Sequence, residues 1–341
     1  MKLANTMAIF VCLAILSGVI FFCEDRGTNG LVDPIDNPTI IDDNAAWSPD
    51  GGFLAYTHYR RSIEDNPDYP LVQIWIYDII SDSSYRFLYP AMAPRWSQDG
   101  SKLFFVQSIS GTGNIYFYEF GQDTIIRVTN DNSHGIFDLS PGGESIVTMS
   151  GSNSTRDFGL WLIDYNNNYY RCITPGDPSG DTPRWSRHSG NIIYNRAELD
   201  IYYQFAISDS MGNFIGYIHR SNWLQYAACW GPGDSLVAIT DGIDAFVKRP
   251  NVWIKNRNAG ALFLFTKGWA PDWSNDGNWI AFTDGAINPR RFTIWVMRLD
   301  GTGKREISRR SYADIDTVAI APDAYPRCVL PEAVKARLRG Q

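Results

Sequence analysis

One thirteen-residue pattern returns six times along the chain, and its recurrence limits the fold more than any other feature. It reads AAWSPDGGFLAYT at 45–57, PRWSQDGSKLFFV at 94–106, FDLSPGGESIVTM at 137–149, PRWSRHSGNIIYN at 183–195, ACWGPGDSLVAIT at 228–240 and PDWSNDGNWIAFT at 271–283. The anchors Trp47, Trp96, Leu139, Trp185, Trp230 and Trp273 are separated by 49, 43, 46, 45 and 43 residues. Such a period marks one supersecondary unit repeated in tandem, since a single unit cannot bury its own apolar face and must stack on its neighbours. A weaker echo, TVAIAPDAYP at 317–326, places Ile320 47 residues beyond Trp273.

Each unit carries a second shared segment: QIWIYDI (73–79), NIYFYEF (114–120), GLWLIDY (159–165), YQFAISD (203–209), NVWIKNR (251–257) and TIWVMRL (293–299). These segments alternate apolar and polar residues with period two, as half-buried strands do. A polar turn and a third, closing strand follow, so each unit reads as four antiparallel strands. The 12 Trp, 18 Tyr and 18 Phe fit a pleated, half-buried surface. Only PEAVKARLR (331–339) has helical periodicity. The pattern predicts an all-β chain: a six-bladed β-propeller of four-stranded antiparallel blades, six rather than seven because the last echo lacks a following aromatic strand.

The motif W-S-P-D-G, followed by an apolar strand and an aromatic one, resembles the WD-like repeats of the TolB-type six-bladed propeller. WSPDG at 47–51 matches letter for letter; WSQDG (96–100) and WSNDG (273–277) differ at one position, and the other three copies are degraded. The resemblance covers roughly residues 37 to 325 and is specific for fold. Proteins with such repeats include periplasmic partner-binding proteins, the propeller halves of oligopeptidases and sugar-acid lyases. For the lyases it implies a histidine-ligated metal at the channel mouth.

Ahead of the repeats, Lys2 and the apolar run MAIFVCLAILSGVIFF (7–22) read as an export signal. Cys23 stands where a bacterial lipoprotein carries its lipidated cysteine, although Phe22 occupies a position where a small residue is usual. Cleavage near Ser17–Gly18 or an uncleaved anchor is the alternative. The expected organisation is a signal at 1–23, a linker at 24–36, the propeller at 37–326 and a C-terminal tail at 327–341. The expected location is the periplasm, or the outer membrane or cell surface as a lipoprotein, with membrane attachment through an N-terminal lipid. A formal net charge of -7 argues against nucleic acid as a partner.

Candidate chemistry is sparse. Asp50, Asp99 and Asp276 recur in the turns, where Asp accepts backbone hydrogen bonds and Gly supplies positive φ, so their expected role is structural. There is no G-x-S-x-G elbow for a nucleophile. His58, His134, His188 and His219 form no ligand motif, and neither metal nor cofactor is expected. A basic residue recurs in the loop between second and third strands: Arg60, Arg61, Arg156, Arg196, Lys248, Arg249, Arg290 and Arg291. Equivalent loops share one face of a propeller, so these residues, with Trp223 and Tyr226, are the binding-face candidates; acidic neighbours in the same loops make ion pairing within blades the competing use. The expected function is a non-catalytic cell-envelope scaffold recognising a protein or peptide partner through that face. The alternatives are a propeller enzyme of the polysaccharide-lyase or peptide-hydrolase type, with its site at the channel mouth, and a binder of glycan or anionic polymer.

Overall fold

The strands follow the repeat register closely. In a computed structural model, residues 39–61, 71–108, 113–150, 159–176, 182–198, 202–219, 224–243, 250–286, 291–308 and 330–340 are described. Strands β1 (Thr39–Trp47), β2 (Phe53–Arg61), β3 (Leu71–Asp78) and β4 (Ser83–Leu88) make the first unit. The second holds β5 (Met92–Trp96), β6 (Lys102–Gln107), β7 (Asn114–Glu119) and β8 (Thr124–Arg127), and the third β9 (His134–Leu139), β10 (Ser145–Ser150), β11 (Gly159–Asp164) and β12 (Tyr169–Cys172). The fourth comprises β13 (Arg184–Trp185), β14 (Ile192–Glu198), β15 (Tyr202–Ser208) and β16 (Phe214–His219). Next come β17 (Leu224–Trp230), β18 (Leu236–Ile243), β19 (Asn251–Asn256) and β20 (Leu262–Lys267). Finally β21 (Trp269–Trp273), β22 (Trp279–Ala286), β23 (Arg291–Arg298) and β24 (Arg305–Glu306) form the last unit.

The expectation of six separate four-stranded blades needs correction. Among the described residues the propeller has four discrete blades, β5–β8, β9–β12, β13–β16 and β17–β20, while the first and last units merge into a single eight-stranded sheet. The junction is a parallel pairing of Ile40 with Arg291 and Ile41 with Phe292. Its cause is length: β1 runs for nine residues, against five in β5 and in β21. The additional N-terminal residues lie along the start of β23, and their backbone groups find partners there instead of forming an open edge. Repeat spacing carries no record of that extension. The echo at 317–326 lies outside the described residues.

Apolar side chains fill the gaps between units. Trp47, Leu54 and Tyr56 of the first unit pack on Ala281, Ile294 and Val296 of the last. Trp185, Ile192 and Tyr194 meet Val147 and Leu160, and Ile193 and Phe205 meet Ala228, Val237 and Ile239. A central cluster draws Ile41, Phe104, Phe137, Tyr226 and Trp269 from separate units. A sheet with both faces covered in this way needs apolar residues on both, which explains β6 (KLFFVQ), where four consecutive residues are buried.

The turn carboxylates bond within their turns. Ser48 Oγ donates to Asp50 Oδ1 (2.5 Å), which also accepts the Gly52 N–H (2.9 Å), while Ser48 Oγ accepts the Phe53 N–H (2.9 Å). Ser97 with Asp99 and Ser274 with Asp276 repeat the arrangement at 2.6 Å. The glycines that follow, Gly51, Gly100 and Gly277, sit at φ 73, 72 and 76°, a conformation glycine adopts without steric cost. Loss of solvent works to raise the Asp99 and Asp276 carboxyls, but the hydroxyl and N–H donors prevail and hold both below the ordinary range.

After the last sheet, α1 (Glu332–Arg339) packs between the first and second units. Leu330, Val334 and Leu338 enter the core formed by Phe53, Phe87 and Phe120, joining the eight-stranded sheet to the β5–β8 blade. Polar contacts flank them: Lys335 Nζ lies 2.8 Å from Asp123 Oδ2, Arg337 pairs with Asp78, and Arg339 Nε donates to the Phe120 carbonyl (3.1 Å). Among the described residues no helix is long and apolar enough to cross a membrane.

Candidate functional site

The inner strand of each unit supplies the channel wall. Each anchor side chain packs in the core between units, and the residue before it lies on the opposite face of the sheet, where Ala46 and Cys229 join the core on the other side. Those preceding residues are Ala46, Arg95, Asp138, Arg184, Cys229 and Asp272. All six line one cavity of about 330 Å³. The five anchor tryptophans and Leu139 form the rest of its wall, and turn residues such as Gln98, Arg187, His188, Pro232 and Asn275 form its rim. The cavity therefore opens at the end carrying the Asp-Gly turns. Going round the ring, the charged residues alternate in sign: Arg95, Asp138, Arg184 and, past Cys229, Asp272.

Both carboxylates bind the next unit as well as facing the channel. Asp138 Oδ2 accepts the backbone N–H of Trp185 (2.7 Å), and Asp272 Oδ2 accepts that of Trp47 (3.0 Å). At two of the other junctions the next indole performs a similar stitch: Trp96 Nε1 donates to the Ala46 carbonyl (3.0 Å) and Trp230 Nε1 to that of Arg184 (3.1 Å). Loss of solvent pushes both carboxyls above their ordinary range, against the opposing pull of Arg95 and of the N–H each accepts. Burial, reinforced by the Asp272 charge, raises the Cys229 thiol well above its usual value. A thiol held protonated in this way is a weak nucleophile.

The two arginines are 4 and 6% exposed. Arg95 Nη1 donates to the Pro94 carbonyl (2.6 Å) and Nε lies 3.7 Å from Asp138 Oδ1, which exceeds hydrogen-bond length. Arg95 Nη2 and Arg184 Nη1 are buried without an acceptor among the described residues.

Five of the ten binding-face candidates from the sequence lie among the described residues. Arg60 is buried near the end of β2, opposite Ile40. Arg61 closes that strand. Arg196 is half-buried with its guanidinium 4.9 Å from the Phe214 ring. Arg291 Nη2 lies 3.5 Å from Glu306 Oε1, an ion pair within the last unit. Tyr226 is buried, and its carbonyl accepts from Thr182 Oγ1 (3.0 Å) and Asn195 Nδ2 (3.1 Å). Cys23, Arg156, Trp223, Lys248, Arg249 and Arg290 lie outside the described residues.

The histidines are dispersed. His58 Nδ1 lies 2.6 Å from Asp42 Oδ1, His134 Nε2 lies 2.7 Å from Asp131 Oδ1, His219 is 3.8 Å from Asp241, and His188 is on the channel rim. Among the described residues no three His, Cys, Asp or Glu side chains are grouped to hold a metal ion. Sequence reading passed over the channel ring because its residues differ in type from unit to unit. The usable signal was positional: one variable column directly before an otherwise repeated anchor.

Comparison with protein-family models returns no match, and comparison with curated protein sequences returns none. Solved structures do match. A TolB-type protein from Agrobacterium tumefaciens is similar at 16% identity over 69% of this chain and 87% of that one, with a TM-score of 0.57. An oligogalacturonate lyase in complex with manganese shares 12% identity over 85% of this chain and 82% of the other, with a TM-score of 0.54. The β-propeller domain of the trilobed protease from Pyrococcus furiosus shares 10% over 80% and 98%, with a TM-score of 0.54. At such identities the likeness speaks for fold alone, and the chain is a β-propeller of the general build common to TolB-type proteins and to lyase and protease propellers.

Proposed function

We infer that this chain is a non-catalytic binding propeller of the bacterial cell envelope that engages a protein or peptide partner at the channel mouth. The observation that carries this reading is the convergence of five tryptophans and a ring of charged side chains on one cavity of about 330 Å³. That volume lies near the lower end for ligand pockets, roughly 300–1,000 Å³, and suits a chain end or a short segment of a partner. Tryptophan and arginine are also the residue types that dominate binding energy at interfaces. The apolar run at 7–22 and Cys23 support the envelope location.

An enzymatic reading draws less support. Cys229 is held protonated, and Asp138 and Asp272 are each bonded to the backbone N–H of the next unit. An anionic-polymer reading is opposed by the net charge of -7 and by the pairing of Arg291 with Glu306.

The test is site-specific photo-crosslinking in the native envelope. A photoreactive residue is placed at Gln98 or Asn275, both exposed on the channel rim, and at Tyr169, exposed on an outer strand, as the control. The expected outcome is one defined partner captured from both rim positions and absent from the control. Capture from Tyr169 with none from the rim would overturn the reading.

A further inference from the structure

We propose that Arg95 and Arg184 form a carboxylate-binding site in the channel mouth, which takes the C-terminal carboxylate of a peptide segment. The proposal rests on the binding reading above and specifies its chemistry. Both side chains are more than nine-tenths buried, and both line the cavity. A guanidinium remains charged at any physiological pH, so its buried N–H groups need acceptors. Arg95 Nη2 and Arg184 Nη1 have none among the described residues.

The two acids of the ring do not make up that deficit. Asp138 Oδ2 and Asp272 Oδ2 are committed to the Trp185 and Trp47 N–H groups, and Asp138 Oδ1 stays 3.7 Å from Arg95 Nε. Loss of solvent also biases both acids toward their neutral forms, a course not open to the arginines. The shortage of acceptors therefore falls on the cationic half of the ring.

The chemistry selects among anions. A carboxylate offers two coplanar oxygens to guanidinium N–H donors. It also carries one negative charge, whereas a phosphate would bring up to two toward Asp138 and Asp272. The indole walls favour an anion attached to an apolar chain over a free inorganic ion. In a largely desolvated site the charge-assisted bonds are strengthened by the low local dielectric.

The experiment uses the purified full chain and follows its tryptophan fluorescence, with calorimetry in parallel. The probes are N-acetyl-trialanine with a free C-terminus, the same peptide as its C-terminal amide, acetate and inorganic phosphate. Saturable binding of the acid peptide is expected, with the amide, acetate and phosphate each weaker by about tenfold or more. Arg95→Gln and Arg184→Gln should each reduce acid-peptide binding by about tenfold, with Arg298→Gln unchanged and the thermal midpoint monitoring the fold. Equal binding of acid and amide, or no saturable binding of the acid, overturns the proposal, and this comparison stands even where an arginine variant does not fold. Acetate matching the peptide overturns the peptide source, and phosphate exceeding it overturns the carboxylate. Rim photo-crosslinking that still captures a partner while acid and amide bind alike would remove the carboxylate site and leave the binding propeller intact.

Discussion

Asp272 Oδ2 lies 3.0 Å from the backbone nitrogen of Trp47, a residue 225 positions earlier in the chain. The bond joins the last unit to the first beside the parallel pairing of β1 with β23, and its donor is the N–H at the base of an Asp-Gly turn. Asp138 makes the same contact to Trp185 between two discrete blades. These acids thus hold neighbouring units together at the channel wall while contributing charge to the channel.

Replacing Asp272 separates the two roles. Asp272→Ala leaves the Trp47 N–H without its acceptor and is expected to cost about 1–3 kcal/mol in urea unfolding. Asp272→Asn keeps an oxygen for that N–H and removes a charge that solvent loss disfavours, so it is expected to lie within about 1 kcal/mol of the parent. Equal losses in both variants would show that charge, not the hydrogen bond, is what Asp272 contributes.

The repeat motif divides in the same manner. Trp273 is buried among Cys229, Ile254, Ile280 and Phe282, and Trp273→Ala is expected to destabilise by roughly 3–5 kcal/mol. Among the described residues Asp276 bonds only within its own turn, so Asp276→Ala is expected to cost about 1 kcal/mol and to leave rim crosslinking unchanged. Thermal unfolding and crosslinking of the two variants check both statements.

Helix α1 is predicted to be an integral part of the ring. Leu338 is almost wholly buried against the core that holds Phe53 and Phe120, and Leu338→Ala is expected to cost roughly 2–5 kcal/mol. Hydrogen exchange should then quicken in β4 and β7 together. Quickening confined to the helix would mean that it docks without supporting the sheets.

Acid sensitivity should concentrate at Asp131. Partial burial works to raise its carboxyl, but the His134 ring 2.7 Å away and the Ser133 hydroxyl outweigh that and lower it from 3.8 to about 2. The folded form thus favours the ionised carboxylate: its contribution is complete above about pH 4 and is lost as pH falls toward 2. Asp131 is 48% exposed, so solvent screening limits the effect to less than about 1 kcal/mol. Stability measured from pH 5 down to pH 2 should fall more steeply in the parent than in Asp131→Asn.

Cys229 should resist alkylation. Its thiol is buried and held well above the ordinary pKa, so iodoacetamide at mildly alkaline pH should spare it in the folded chain and modify it after unfolding. Peptide mapping distinguishes it from the half-buried Cys172. Rapid labelling of folded Cys229 would mean that the channel wall opens.

Strand positions, turn chemistry and anchors were legible because each depends on near neighbours. The W-S-x-D-G spacing supplies a hydroxyl, a carboxylate and a positive-φ glycine within five residues, and Ser97, Asp99 and Gly100 assemble accordingly. The charged ring was not read, although Arg95 and Arg184 stand beside two of the most visible tryptophans. A column that mixes Ala, Arg, Asp and Cys looks like noise along a chain and becomes a site only when the copies are arranged in a circle.

The sequence by itself thus determined an all-β repeat architecture, since period-two alternation and turn residues act over a few positions. Tertiary structure decided that the outermost units fuse into an eight-stranded sheet. It also decided that Arg95, Asp138, Arg184, Cys229 and Asp272 share one cavity. The physical reason is range: these outcomes depend on contacts between residues tens to hundreds of positions apart, such as Asp272 with Trp47 and Ile40 with Arg291, which leave no trace in local periodicity.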